Sequence, residues 1–199
     1  MPTVQETTDR FLRHLRIELG RSRHTIDAYA RDLAGYAGFL AAAGIVDIAG
    51  VARVDVEAFA RSLREREQPL AATSAARVLS AVRGLHRFAV EEGIAPGDPS
   101  TEVRPPKAAQ RLPKALPLES VLRLLDAAGG DEPVRLRDRA LLELLYGTGI
   151  RVSEAVGLDV DDATAALEHE LLRVTGKGDK QRIVPIGRFA REALDAYLV

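Results

Sequence analysis

The stretch APGDPSTEVRPPKAAQRLPKALP, residues 95–117, carries six prolines and divides the chain in two. Each proline lacks a backbone donor and disfavours helical geometry in the residue before it, so no helix crosses this stretch. The segments on either side must therefore form separate units, with a linker expected over 96–113 between domains at 1–95 and 114–199. The linker is basic: Arg104, Lys107, Arg111 and Lys114 occur with no acid between Glu102 and Glu119.

The first part reads as helices. Ser22 is a plausible N-cap, and Ile26, Tyr29, Leu33, Tyr36 and Leu40 come after it at intervals of three and four, up to Gly44. Phe11, Leu12, Leu15 and Leu19 predict a shorter helix ended by Gly20. A third is expected from about Asp55, with Val56, Phe59 and Leu63 on one face, and a fourth from Thr73 or Ser74 to before Gly93. Four short helices with brief loops make a compact bundle. Beyond the linker, helices are predicted over 119–128, over 137–146 (apolar enough to be buried) and over 153–157. Leu171–Thr175 and Arg182–Ile186 then flank a Gly-Asp turn, a hairpin signal. A last helix, from Phe189, is still periodic at Leu198, an ending that suggests truncation.

Composition narrows the class. A hydrophobic share of 46 % with 29 % charged residues reads as a soluble globular protein. No run of about eighteen apolar residues offers a bilayer span, and MPTVQETTDR lacks the features of a signal peptide. The absence of cysteine removes disulfides and thiolate metal sites. A cytoplasmic protein without membrane insertion is the expectation. Net charge is −1, but the charges are unevenly placed. Arg77, Arg83 and Arg87 lie in an acid-free stretch, the linker forms a second, and Arg173–Arg191 carries six cations against Asp179. Residues 119–170 restore the balance with 12 acids against 5 arginines. Basic patches on a balanced chain suit a polyanion bound at defined places.

Nucleotide and metal motifs fail on inspection. In TGKGD the residue after Lys177 is Gly178, where a phosphate-binding loop needs Ser or Thr, and in YGTGIRV Val152 stands where a dinucleotide fingerprint needs a small residue. His14, His24, His86 and His169 show no metal-ligand spacing, and Asp161-Asp162 reads as turn and cap chemistry. On the fourth helix, Arg77, Ser80, Arg83, Gly84 and Arg87 share about a third of the wheel, opposite Val78, Leu79, Val82, Leu85 and Ala89. That basic face, with two small residues for close approach, suits a polyanion's groove or backbone, or is simply the solvent-facing side of the helix.

There remain GTGIRVSEAVGLDVDD and, some 25 residues later, TGKGDKQRIVPIG. With SRHTIDAYARDL, SAARVLSAVRGLHRFAVEEG and RLPKALPLESV upstream, they resemble the tyrosine site-specific DNA recombinases (phage integrases) of the XerC/XerD type, XerD somewhat more than XerC. The resemblance covers nearly the whole chain. It implies a mainly α fold: an N-terminal four-helix core-binding (SAM-like) domain, then part of an α+β catalytic domain with a small antiparallel β-sheet. It implies strand exchange through a phosphotyrosine link at a duplex DNA recombination site, resolving chromosome dimers with a XerC-like partner in a heterotetramer and a cell-division DNA translocase. No metal or other cofactor is implied. Phage or transposon integrase, and a DNA-binding module that never cleaves, are the alternatives.

Arg151 and Lys177 are the catalytic candidates. Arginine's planar fork can bond two phosphate oxygens at once, and a glycine-flanked helix start adds backbone donors. Glu154, three residues on, can orient Arg151 or be a solvated partner. The family's lysine at the hairpin tip protonates the departing 5′-hydroxyl, and the chain holds only 4 Lys beside 24 Arg. DNA contacts are expected at Arg77, Ser80, Arg83, Arg87, Lys107 and Arg111, while Lys180 and Arg182 read as phosphate contacts or solvated hairpin charges. The family's His-x-x-Arg motif is not found. Tyr29 and Tyr36 precede the catalytic part, Tyr146 lies on a helix expected to be buried, and Tyr197 reads as packing. None is assigned as the nucleophile.

Overall fold

The computed structural model describes residues 1–104, 115–176 and 178–198. The chain divides into two compact units, Met1–Arg111 and Leu112–Val199. Each has its own apolar core.

The first unit is built from α1 (Val4–Ile17), α2 (Arg23–Ala42), α3 (Arg53–Glu65) and α4 (Ala72–Glu91), with a 3-10 turn at Ile48–Gly50. The helices are less uniformly short than the sequence suggests, for α2 and α4 have 20 residues each. Thr3 and Glu6 close a reciprocal cap at the start of α1. Ser22 caps α2 as expected, its Oγ accepting from Thr25 N at 3.4 Å. Helix α4 starts earlier than Thr73: its cap position is Ala71, without a side-chain cap. Leu33, Tyr36, Leu40, Val56, Leu79, Val82 and Leu85 meet in the core. Gly84 is small for a reason internal to this bundle. A Cβ there would stand 2.9 Å from Phe11 Cζ, so glycine lets α1 and α4 approach. It is not spare room for a DNA groove.

The first part of the proline-rich stretch is packed rather than free. Ser100 and Val103 are buried, and Val103 belongs to the core of the first unit. Asp98 Oδ1 accepts from Ser100 N at 2.8 Å and from Ser100 Oγ at 2.5 Å.

The second unit runs α5 (Leu118–Ala127), α6 (Pro133–Thr148), α7 (Val152–Ala155), α8 (Val160–His169), β1 (Leu171–Thr175), β2 (Gln181–Pro185) and α9 (Arg188–Leu198). Helix α8 is not among the elements expected from the sequence, where Asp161-Asp162 reads as turn and cap chemistry. The cap is Asp159 rather than the Asp161-Asp162 pair: its Oδ1 accepts from Asp162 N at 2.8 Å and so opens a helix. The strands pair antiparallel, with Leu172 opposite Val184 and Val174 opposite Arg182. Directly opposed residues share a face, and in β1 that face holds the buried Leu172 and Val174. Gly178 and Asp179 both have positive φ, the geometry of a tight hairpin turn.

Candidate active site and nucleic-acid interface

Helix α6 ends at Gly149, which takes φ +66 and turns the chain sharply. Ile150 is buried beneath this corner, and Arg151 comes next in extended geometry at the start of α7. Its side chain is 69 % exposed, whereas that of Glu154 is only 2 % exposed. Glu154 Oε2 accepts from Arg151 N at 2.8 Å, and Glu154 Oε1 accepts from Arg151 Nη1 at 3.0 Å. The carboxylate thus orients Arg151, and it is no solvated surface partner. The backbone donor expected to attract an anion at this helix start is instead used by Glu154.

Arg182 completes the cluster. Its Nη1 donates to Glu154 Oε1 at 2.7 Å and its Nη2 to Glu154 Oε2 at 2.8 Å. These bonds, with the Arg151 backbone bond next in weight, hold the Glu154 carboxyl at a pKa of about 2, below its ordinary 4.5, although removal from water pushes the other way. Gly176 lies against the same group: a Cβ there would be 3.0 Å from Glu154 Oε1 and 3.4 Å from Arg182 Nη1. The Arg182 guanidinium is therefore tied to the buried Glu154, although its side chain stays 40 % exposed. The signal is present in the sequence, since Arg182 is two residues from Val184 and must share the inner face of its strand. Lys180 is exposed beside the turn. Lys177, Lys107 and Arg111 lie outside the described residues.

On α4 the predicted residues divide. Arg87 is exposed to solvent, and Ser80 is exposed with its hydroxyl donating to Ala76 O at 2.9 Å. Arg77 is ion-paired with the nearly buried Asp32 of α2. Arg83 is half-buried and donates to Val103 O, tethering the chain beyond the bundle. Sequence reasoning gives no sign of an open groove of about 850 Å³ beside α3, lined by Arg53, Arg61, Arg64 and Arg104. Arg53 is already paired there with Glu57 and Glu102.

Among the tyrosines, Tyr36 is fully buried, with 2.9 Å between its hydroxyl and His86 Nε2. Tyr146 is 54 % exposed, against the expectation of a buried helix face, and Tyr197 is also exposed. Among the described residues, no helix is long and apolar enough to cross a membrane.

A SAM-like helical unit followed by an arginine at a helix start and a β-hairpin is the arrangement of a phage integrase, and two family matches agree. The N-terminal SAM-like domain of phage integrases matches residues 8–93, and the phage integrase family matches residues 114–199. The chain belongs to this family, the tyrosine recombinases, and is of the XerC/XerD type. It is 50 % identical to tyrosine recombinase XerD of Mycobacterium tuberculosis, over 100 % of its own length and 66 % of that relative's. To tyrosine recombinase XerC of Pseudomonas aeruginosa it is 41 % identical, over 96 % of this chain and 61 % of the relative. It thus spans slightly less than two thirds of these curated proteins. Its fold matches a lambda integrase dimer bound to a COC′ core site at a TM-score of 0.75 and 19 % identity, covering 97 % of this chain and 68 % of that one.

Proposed function

We propose that this chain binds a duplex recombination site and supplies the phosphate-holding part of a site-specific tyrosine recombinase, whose task is to resolve chromosome dimers in the cytoplasm at cell division. The observation that carries this is Arg151, a solvent-facing guanidinium oriented from behind by a buried carboxylate. When a tyrosine oxygen attacks a phosphodiester, negative charge grows on the non-bridging oxygens, and a fixed arginine fork stabilises it. Lys177 delivers a proton to the departing 5′-hydroxyl. The cut strand's energy is kept in the phosphotyrosyl bond, so rejoining needs no nucleotide or metal. The names of the relatives favour a XerC-like partner; in this reading the two form a heterotetramer that works with a cell-division DNA translocase.

In this reading the first unit is the core-binding domain, with Arg77, Ser80, Arg83 and Arg87 at the DNA and Lys107, Arg111 and Lys180 on flanking phosphates. None of Tyr29, Tyr36, Tyr146 and Tyr197 is the nucleophile. Burial of Tyr36 raises its pKa and disfavours the phenolate that an attack requires. The chain by itself therefore binds DNA without cutting it. Incubation with a nicked suicide substrate carrying the site should yield no covalent protein–DNA adduct, whereas one that maps to any of these tyrosines would overturn this assignment.

A further inference from the structure

The Glu154 carboxylate receives four donated hydrogen bonds, two from Arg182 and two from Arg151. An ionised carboxylate has about four acceptor positions, so this one is fully occupied. The two arginines use it differently. Arg182 grips it with both terminal nitrogens from the inner face of β2, the geometry that fixes a carboxylate in plane. The side chain of Arg151 makes a single hydrogen bond among the described residues, the 3.0 Å contact to Oε1, and otherwise faces solvent. Charge shows the same division. One buried anion lies between two cations, and with Arg182 neutralising Glu154, the positive charge of Arg151 remains available outward.

We propose that Arg182 is a positioning residue: its two-pronged ion pair locks Glu154, which in turn sets the direction of the Arg151 guanidinium and leaves its charge unspent. The inference rests on Arg151 being the phosphate-binding group. It assigns Arg182 a role through Arg151 rather than a phosphate contact of its own. The packing of Gly176 against Glu154 Oε1 and Arg182 Nη1 ties this lock to the hairpin backbone. Loss of Arg182 would leave a buried carboxylate held by Arg151 alone, which collapses that pair into a neutral one.

The test compares the unchanged chain with Arg182→Ala, Arg182→Lys and Lys180→Ala by NMR of the Arg151 guanidinium and the Glu154 carboxyl. In the unchanged chain, Arg151 should give a rigid side-chain signal, and Glu154 should stay ionised down to the lowest pH at which the fold persists. Arg182→Ala should make the Arg151 signal mobile and bring Glu154 up towards 4.5. Arg182→Lys, a point charge without the fork, should keep Glu154 acidic while Arg151 still loosens. Lys180→Ala should move neither. Should Arg182→Ala fail to fold by circular dichroism, the lysine variant carries the comparison. An Arg151 signal unmoved in both Arg182 variants, or moved equally by Lys180→Ala, would overturn the proposal. A double-mutant cycle on duplex DNA completes it. Arg182→Ala should weaken binding roughly threefold or more in the unchanged background and not at all beside Arg151→Ala; additive losses would make Arg182 an independent contact. If the unchanged chain fails to bind duplex at all, the DNA reading falls while the NMR result still decides the lock.

Discussion

His86 and Tyr36 show what one buried polar pair does to a helical bundle. Burial lowers the His86 pKa from 6.5 to about 4, and Nδ1 has no hydrogen-bond partner among the described residues. The imidazole is therefore neutral in the fold but takes up a proton in the unfolded chain below pH 6.5. This contribution to stability is complete above that pH, declines as pH falls from 6.5 towards 4, and changes no further below. Urea midpoints measured across this window should fall accordingly, and a flat profile in a Tyr36- and His86-intact chain would contradict it. Tyr36→Phe removes the partner of a buried nitrogen and should cost about 1–3 kcal/mol by denaturant titration. At this scale the sequence is partly legible. Arg151 and Glu154 stand out from their motif and spacing. Arg182 looks like an outward charge when charges are counted along the hairpin, and only the strand register turns it inward.

Among the elements, α4 carries two kinds of arginine, and substitution should separate them. Arg87→Ala should leave the thermal midpoint unchanged while lowering the slope of log affinity against log salt by about one, the mark of a lost phosphate contact. Arg83→Ala should in addition reduce stability, since the side chain tethers Val103 O. Equal thermal midpoints for the two variants would mean that this tether contributes nothing to the fold. Glycines give a second contrast. Gly35 and Gly38 sit inside α2 with open space for 4 Å around the position a Cβ would take, so alanine at each should stabilise by about 0.5–1 kcal/mol. Gly84→Ala should destabilise by about 1–3 kcal/mol, because the Phe11 ring occupies the space. Periodicity and caps locate most helices within a few residues. They miss α8, where Asp161-Asp162 reads as a turn, and they cannot show that Gly84 serves packing, because that depends on which helix comes to lie against it.

For the molecule as a whole, a net charge of −1 conceals its distribution. The chain should bind duplex DNA with an affinity that falls steeply between low and moderate salt, because each neutralised phosphate releases counterions. A gel shift indifferent to salt would remove the basis of the functional reading. Two separate cores are legible from the prolines, which stop any helix from running through. That the chain beyond the last helix of the bundle returns to complete the first core is not, for a Pro-rich composition looks the same whether it is packed or extended. This return has a consequence for synthesis. A ribosome that has released α4 has not yet released Val103, which belongs to the same core, nor the carbonyl that Arg83 binds. During translation, the nascent bundle must therefore wait with part of its apolar interior open to water, a span in which chaperones and proteases have their best access to it.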